Sequence, residues 1–257
     1  MSELRELACA IAREAGAIAR ARFLEPRTIR TKTSDIDLVT DVDHALDRLI
    51  RERVRAARPH DALLTEEGQA EAGSSGVRWI VDPLDGTTNY AHAFPHFAIS
   101  IGVEVDGARE AGAVYDPMRD ELFEAERGKG ARLNGQPIRT SEIAELRRAL
   151  LATGFAYDVH SRRTPNLVHF ERFIGTAQAI RRAGSAALDF AYVACGRFDG
   201  YWELHLAPWD VAAGILLVEE AGGRVTDFDA GPPPASGARI AASNGPLHAA
   251  MLEVLNR

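Results

Sequence analysis

The apolar run Trp79-Ile80-Val81 ends in Asp82-Pro83-Leu84-Asp85-Gly86-Thr87-Thr88-Asn89, with two carboxylates three residues apart around a proline. The first carboxylate stands at the end of a buried strand. Pro83 fixes the turn that follows, and Asp85 comes close enough to share a cation with Asp82. Gly86 and Thr87 then offer backbone N–H groups where a helix can start, a natural cradle for a phosphate. Hard oxygen ligands of this kind suit Mg2+ rather than zinc. Taken alone, Asp-x-x-Asp-Gly also reads as a β-turn, because Asp-Gly is common in turns.

Other acids stand at element boundaries. Glu66 and Glu67 follow the strand-like run Ala62–Thr65, Asp210 opens an apolar helix in Trp209-Asp210-Val211-Ala212-Ala213-Gly214, and Asp43 follows Thr40 at the start of another helix. Each has a plain structural reading: a solvated loop for the glutamates, an N-cap worth ~1 kcal/mol for Asp210, and a capping-box variant for Thr40 and Asp43. If Glu66, Asp82, Asp85 and Asp210 converge, their like charges are tolerable only with bound cations. Two or three Mg2+ ions compensate them and leave positive charge for a phosphate.

The periodicity predicts a mixed architecture. Leu4, Leu7, Ile11, Ala15 and Ile18 form one helical face ended by Pro26, and Val42, Leu46, Leu49, Ile50 and Val54 stripe a second helix from about Thr40 to Arg58. Strands are expected at Ala62–Thr65, Arg78–Asp82, Phe97–Val105, Ala111–Tyr115 and Glu121–Glu126, with Asp106-Gly107 as a hairpin turn. A polar helix is expected over Ser141–Arg148. Beyond it, strands (Leu150–Thr153, Asp199–Leu204, Val225–Asp227, Ala238–Ala242) alternate with helices (Pro165–Ile174, Ser185–Cys195, Asp210–Ala221, Gly245–Leu255). Sheets layered with helices in one compact unit over 1–257 accommodate this, with an α+β part over about 1–148 and an α/β part over about 149–257. The formal charge of −7 disfavours a general nucleic-acid binder. The longest apolar run, Val211–Val218, is far short of the ~20 residues of a membrane span. Two cysteines make no disulfide framework, and the first residues mix charges into the apolar pattern, unlike a signal peptide, so a cytoplasmic protein is expected.

The stretches Trp79–Tyr90 and Trp209–Gly214 resemble the two signatures of the inositol monophosphatase family, and bacterial inositol-1-monophosphatases are the nearest match. Leu38–Asp43, Leu64–Glu67, Tyr115–Met118, Ala152–Phe155 and Gly184–Asp189 fall in that family's order and spacing, so the resemblance covers nearly the whole chain. Gly68 stands where Ser is common, and Ala156 where Pro is frequent; neither touches an expected ligand. The resemblance implies an α-β-α-β-α layered sandwich of the inositol monophosphatase and fructose-1,6-bisphosphatase type. It implies Mg2+-dependent hydrolysis of a phosphate monoester by direct attack of an activated water, without a phosphoenzyme. It places metal ligands at Glu66, Asp82, Asp85, Asp210 and the backbone carbonyl of Leu84. Thr87, with Glu66, orients the water, and Asp43 supports that network, a role that competes with capping. Lys32, one of only two lysines beside 28 arginines, tunes the site near Asp43 and Glu66. Substrate is expected against Asp85, Gly86, Thr87, Gly184, Ser185, Ala186 and Asp210, with Arg181 at its edge and Glu203 on a hydroxyl. The resemblance further implies a homodimer and sensitivity to Li+.

Glu203 favours a polyol, so myo-inositol monophosphate is the expected substrate. Fructose 1,6-bisphosphate, histidinol phosphate and nucleotide 3′-phosphates are the alternatives within the same chemistry. Asp35-Ile36-Asp37-Leu38-Val39 fits a haloacid dehalogenase nucleophile motif, but polar Arg30–Ser34 precede it where a buried strand is needed. Neither cysteine has Arg six positions on, which excludes a cysteine phosphatase. Pro95 breaks any helix carrying His92 and His96 as a zinc pair. A partner-binding regulatory protein is the reading of another class, carried only by the stripe Arg51, Arg55, Arg58. A nucleic-acid or protein partner is not otherwise indicated.

Overall fold

The structure, a computed structural model, describes residues 3–156, 159 and 165–257. The chain begins with α1 (Glu3–Ala21), the short pair β1 (Ile29–Thr31) and β2 (Leu38–Thr40), and α2 (Asp41–Ala57). It continues with β3 (Ala62–Thr65), β4 (Val77–Asp85), α3 (Thr87–Ala91), β5 (Ala98–Val105), β6 (Ala108–Asp116), β7 (Glu121–Glu126), β8 (Ala131–Leu133) and β9 (Gln136–Pro137). The second half holds β10 (Leu150–Thr153), α4 (Pro165–Ile174), β11 (Ala179–Arg181), α5 (Ala186–Ala194), β12 (Gly200–Leu204), α6 (Pro208–Glu220), β13 (Arg224–Thr226), β14 (Arg239–Ser243) and α7 (His248–Leu255).

Strands β3 to β9 form a seven-stranded sheet in sequence order, antiparallel except for the parallel β3–β4 pair. A five-stranded sheet runs β11-β10-β12-β14-β13, parallel across its first three strands and antiparallel beyond. Helices α1 and α2 cover the outer face of the larger sheet with the expected stripes: Ile11, Ala15, Val42, Leu46, Ile50 and Val54 are buried, with Leu4, Leu7, Ile18 and Leu49 packed against them. Helices α5 and α6 lie between the two sheets, and α4 and α7 close the far side of the smaller one. The layering is therefore α-β-α-β-α. None of the described helices is long and apolar enough to cross a membrane.

Local chemistry explains most boundaries. Asp106 and Gly107 both take positive φ (51° and 78°), the geometry a two-residue hairpin needs between Val105 and Ala108. Thr40 caps α2, its hydroxyl accepting from the Val42 and Asp43 amides. Two expectations change. The first helix stops at Ala21, not Pro26, because the chain turns to bury Phe23 against Tyr90 and Phe97. The Ser141–Arg148 stretch forms only a single 3-10 turn, Leu146–Arg148. Its polar groups are engaged elsewhere: the Ser141 hydroxyl donates to Asp199, and Asn244 Nδ2 donates to the Ile143 carbonyl at 2.7 Å. The arginines of the supposed basic stripe are also engaged, Arg51 and Arg55 by Glu71 and Arg58 by Asp61.

The central helix α6 approaches the larger sheet unusually closely at one place. Gly102 and Gly112 face each other across β5 and β6. A Cβ at Gly102 would lie 2.6 Å from the Ala212 Cβ and 3.0 Å from α6 backbone. This seam sets the height of α6 over the sheet. Gly102→Ala is expected to cost about 1–3 kcal/mol through overpacking. A fall in the denaturant midpoint at unchanged slope checks this; wild-type stability would mean the seam has slack.

Candidate active site

Asp82 and Asp85 sit on one strand at a spacing that normally sends side chains to opposite faces. A bulge in β4 corrects this. Asp82 pairs with Ser100 and Asp85 with Ala98, so β4 spends one more residue than β5 over the same interval. The extra residue brings both carboxylates to the same side, and Pro83, which has no N–H to lose, falls within it. Asp210 arrives from α6. It lies in the third position of the helix, not at its cap, and its Oδ2 accepts from the Ala207 amide at 2.7 Å. Asp82, Asp85 and Asp210 thereby offer oxygens that all lie within 4.8 Å of one another, a group that can hold a metal ion.

Backbone and hydroxyl dipoles restrain these acids. The Asp82 Oδ1 accepts from the Leu84 amide at 3.0 Å. The Asp85 carboxylate accepts from the Ser185 hydroxyl, the Ala186 amide (3.2 Å) and the Ala187 amide (2.9 Å), at the N-terminus of α5. Burial pushes all three carboxyls up and Glu66 adds to each, with Asp85 adding to the rise of Asp82 and Asp210: Asp85 goes to about 6, Asp82 and Asp210 well above the usual carboxylate range. Glu66, carried past the end of β3 beside Asp82, is turned toward Lys32, whose Nζ lies 2.8 Å from its Oε1. Lys32 also meets Glu67. Burial opposes its charge, but the two glutamates outweigh it and raise its pKa.

Thr87 opens α3, where Gly86 takes φ +96°. Its Oγ1 lies 2.8 Å from Asp43 Oδ1 and 3.0 Å from the Leu84 carbonyl, the two acceptors for its one proton. Asp43 keeps both roles considered for it. Its Oδ2 accepts from the Thr40 amide and hydroxyl, completing the capping box, while Oδ1 holds Thr87.

These groups surround a cavity of about 360 Å³. Lys32, Glu66, Asp82, Leu84, Asp85, Gly86, Thr87, Gly184, Ser185, Ala186, Glu203 and Asp210 all line it. Asp43 stands behind Thr87, and Ser185 and Ala186 direct their polar groups at Asp85. Arg181 is the correction. It is exposed at the end of β11, and Arg182 lines the cavity in its place. Successive residues of an extended segment point to opposite sides, and the sequence carried no strand signal at 179–181 to set that alternation. Asp37, in the discarded dehalogenase motif, folds back on Thr33, and the strand before it is exposed.

Two lining or supporting groups were unassigned. Asp189 is 1 % exposed and its Oδ1 has no hydrogen-bond partner among the described residues. It lies one helical turn beyond Ser185, a spacing that could have placed it on the cavity face. Its pKa is raised by burial and by Glu203 and Asp85. Tyr201 shares a face of β12 with Glu203 by alternation, and its hydroxyl donates to Glu203 Oε2 at 2.6 Å. Burial lifts Glu203 to about 7.

The chain is also similar to known proteins. The sequence model of the inositol monophosphatase family matches residues 1–257. An inositol-1-monophosphatase of Rhizobium meliloti (strain 1021) is 45 % identical over 222 residues, 86 % of this chain and 84 % of that protein. The Nus factor SuhB of Escherichia coli (strain K12) is 43 % identical over 233 residues, 90 % of this chain and 87 % of that protein. The crystal structure of the extragenic suppressor protein suhB from Bartonella henselae superposes with a TM-score of 0.95 at 38 % identity, covering 100 % of this chain and 99 % of that one.

The raised carboxyls have a thermodynamic consequence. In chelator the folded chain keeps protons that an unfolded chain, with Asp near 3.9, has released. The stability these groups contribute is present at low pH and lost as pH rises through their folded pKa values, near 6 for Asp85 and well above the usual carboxylate range for Asp82. Asp82→Asn removes one charge and keeps an acceptor for the Leu84 amide. The excess of its Tm over wild type in chelator should be smallest near pH 4, where unfolded Asp is still largely protonated, and larger at pH 8 by at least about 3 °C, the effect of ~1 kcal/mol in a chain of this size. Calorimetry at both pH values checks this; a pH-independent difference counts against the repulsion.

Proposed function

The chain belongs to the inositol monophosphatase family and is a phosphatase, and from that premise we propose that it hydrolyses the phosphate monoester of a small polyol, myo-inositol monophosphate, with Mg2+. The observation that carries the reading is the convergence of Asp82, Asp85 and Asp210 on one cavity that Glu203 also lines. Three mutually repelling hard-oxygen donors fit a divalent cation of this class. In this reading Asp82, Asp85, Asp210, Glu66 and the Leu84 carbonyl hold it. When bound, Mg2+ supplies neutralisation of the phosphate oxygens, a lowered pKa for water and stabilisation of the leaving alkoxide.

The chain's own groups do the rest. Thr87 commits its single proton to Asp43 or the Leu84 carbonyl, which leaves its oxygen lone pairs to accept from a water and fix that water's orientation. Glu66 accepts the remaining proton, with Lys32 as its fixed counter-charge. The Gly86 and Thr87 amides at the start of α3 offer donors to the phosphate. Glu203 accepts hydrogen bonds from hydroxyls of the leaving group and repels a second phosphate. Arg182 on the same cavity is the one observation that favours a bisphosphate instead, and a substrate panel decides between the two. The family resemblance adds a homodimer and inhibition by Li+ to this reading.

Turnover is expected to vanish with chelator and dialysis and to return with Mg2+, with Ca2+ a poor substitute because it is larger and tolerates looser geometry. Full turnover in excess chelator would overturn the mechanism.

Asp210→Asn should lower kcat/KM by at least ~10³-fold, on the order of 4 kcal/mol of transition-state stabilisation. Its amide oxygen still accepts from Ala207, so folding is retained. It is a cleaner variant than Asp85→Asn, which also disturbs three donors at the start of α5, the Ser185 cap hydroxyl and two amides. Near-normal activity in folded Asp210→Asn would return the residue to a helix-start role.

A further inference from the structure

The Glu203 carboxylate is wedged between a tyrosine and bare backbone. On one side Tyr201 donates to Oε2 at 2.6 Å. On the other lies Gly154, where a Cβ would overlap both carboxylate oxygens. Gly154 is not among the glycines with positive φ, so its backbone does not demand glycine; the space does.

The position of Gly154 is itself built. It follows β10, whose Thr153 pairs with Trp202 on β12, next to Glu203. The Thr153 hydroxyl donates to the Trp202 carbonyl at 2.7 Å. Asn166 on α4, 1 % exposed, accepts from the Trp202 indole N–H at 2.6 Å and donates to Thr153 Oγ1 at 3.0 Å and to the Gly154 carbonyl. One buried amide thus ties the end of β10 to the strand that carries Glu203.

We infer that Gly154, held by Asn166, is a specificity-determining position: it sets the Glu203 carboxylate where a polyol's hydroxyls reach it, and any side chain at 154 displaces that carboxylate. The inference rests on the reading of Glu203 as the hydroxyl acceptor. Gly154 and Asn166 are positioning residues. Their effect falls on discrimination between leaving groups, which a merely structural role would not move.

The test is the ratio of kcat/KM for myo-inositol monophosphate to that for para-nitrophenyl phosphate, which has no hydroxyls to recognise, measured with Mg2+ below the Tm of each variant. Glu203→Ala is expected to lower the ratio by about 10- to 100-fold. Gly154→Ala should lower it by about 10-fold and add nothing in a Glu203→Ala background, the signature of two positions acting through one contact. Asn166→Ala, which leaves position 154 bare but untied, should lower the ratio in the same sense, again only when Glu203 is present, and decides the matter if Gly154→Ala does not fold. An unchanged ratio in folded Gly154→Ala, or a further fall on top of Glu203→Ala, overturns the inference alone. An unchanged ratio in Glu203→Ala overturns the polyol reading and the inference with it.

Discussion

Asp82, Asp85 and Asp210 hold oxygens within 4.8 Å of one another, and each ionised pair at that distance repels by on the order of 3 kcal/mol even at an effective dielectric near 20. Much of the architecture answers that repulsion. The N-terminus of α5 is aimed at Asp85 and supplies two amides and a hydroxyl. The Ala207 amide serves Asp210, and the Leu84 amide serves Asp82. These dipoles reduce the cost but carry no net charge, so the carboxyls remain shifted upward. A bound cation would supply that compensation, and the excess negative charge is what such an ion would bind to. The glycine seam at Gly102 and Gly112 belongs to this arrangement, because α6 must lie low on the sheet to bring Asp210 to the β4 bulge.

The acids were legible in the sequence because each stands where an element begins or ends, and such boundaries leave chemical marks. Asp82 closes an apolar run, Asp210 precedes one, and Thr40 with Asp43 has the spacing of a cap. Strand and helix existence was legible for the same reason: β3, β10 and α4 lie where periodicity placed them. What was not legible depends on tertiary partners. The bulge that puts Asp82 and Asp85 on one side is a property of the β4–β5 register, not of β4 alone. The 141–148 segment has helical composition, yet Asp199 and Asn244 claim its polar groups from far along the chain. Short strands such as β11 carry too few residues to show a period, and the exchange of Arg181 for Arg182 follows directly from that.

Asp43 shows why a structural and a functional reading of one residue need not compete. A carboxylate has two oxygens and about four acceptor sites. One oxygen of Asp43 completes the cap of α2 and the other fixes the Thr87 hydroxyl. The cap immobilises the carboxylate, and an immobile carboxylate orients Thr87 without further ordering cost. Stability of the helix start and orientation of the hydroxyl are therefore parts of one constraint.

Helix α5 extends that economy across the cavity. Its first turn is bound to Asp85 in the acidic group, and its next turn carries Asp189, whose pKa is raised partly by Glu203. The first turns of α5 therefore link Asp85 in the acidic group to Asp189, which is electrostatically coupled to Glu203. The Gly154–Glu203–Tyr201 wedge is fixed from a different direction, through β10, β12 and α4. The cavity thus has one wall coupled to the acids and one wall tied to the outer helical layer. In the proposed reading, discrimination among leaving groups varies at the second wall, through positions such as 154, while the hydrogen bonds that hold Asp82, Asp85 and Asp210 come from Leu84, the start of α5 and Ala207.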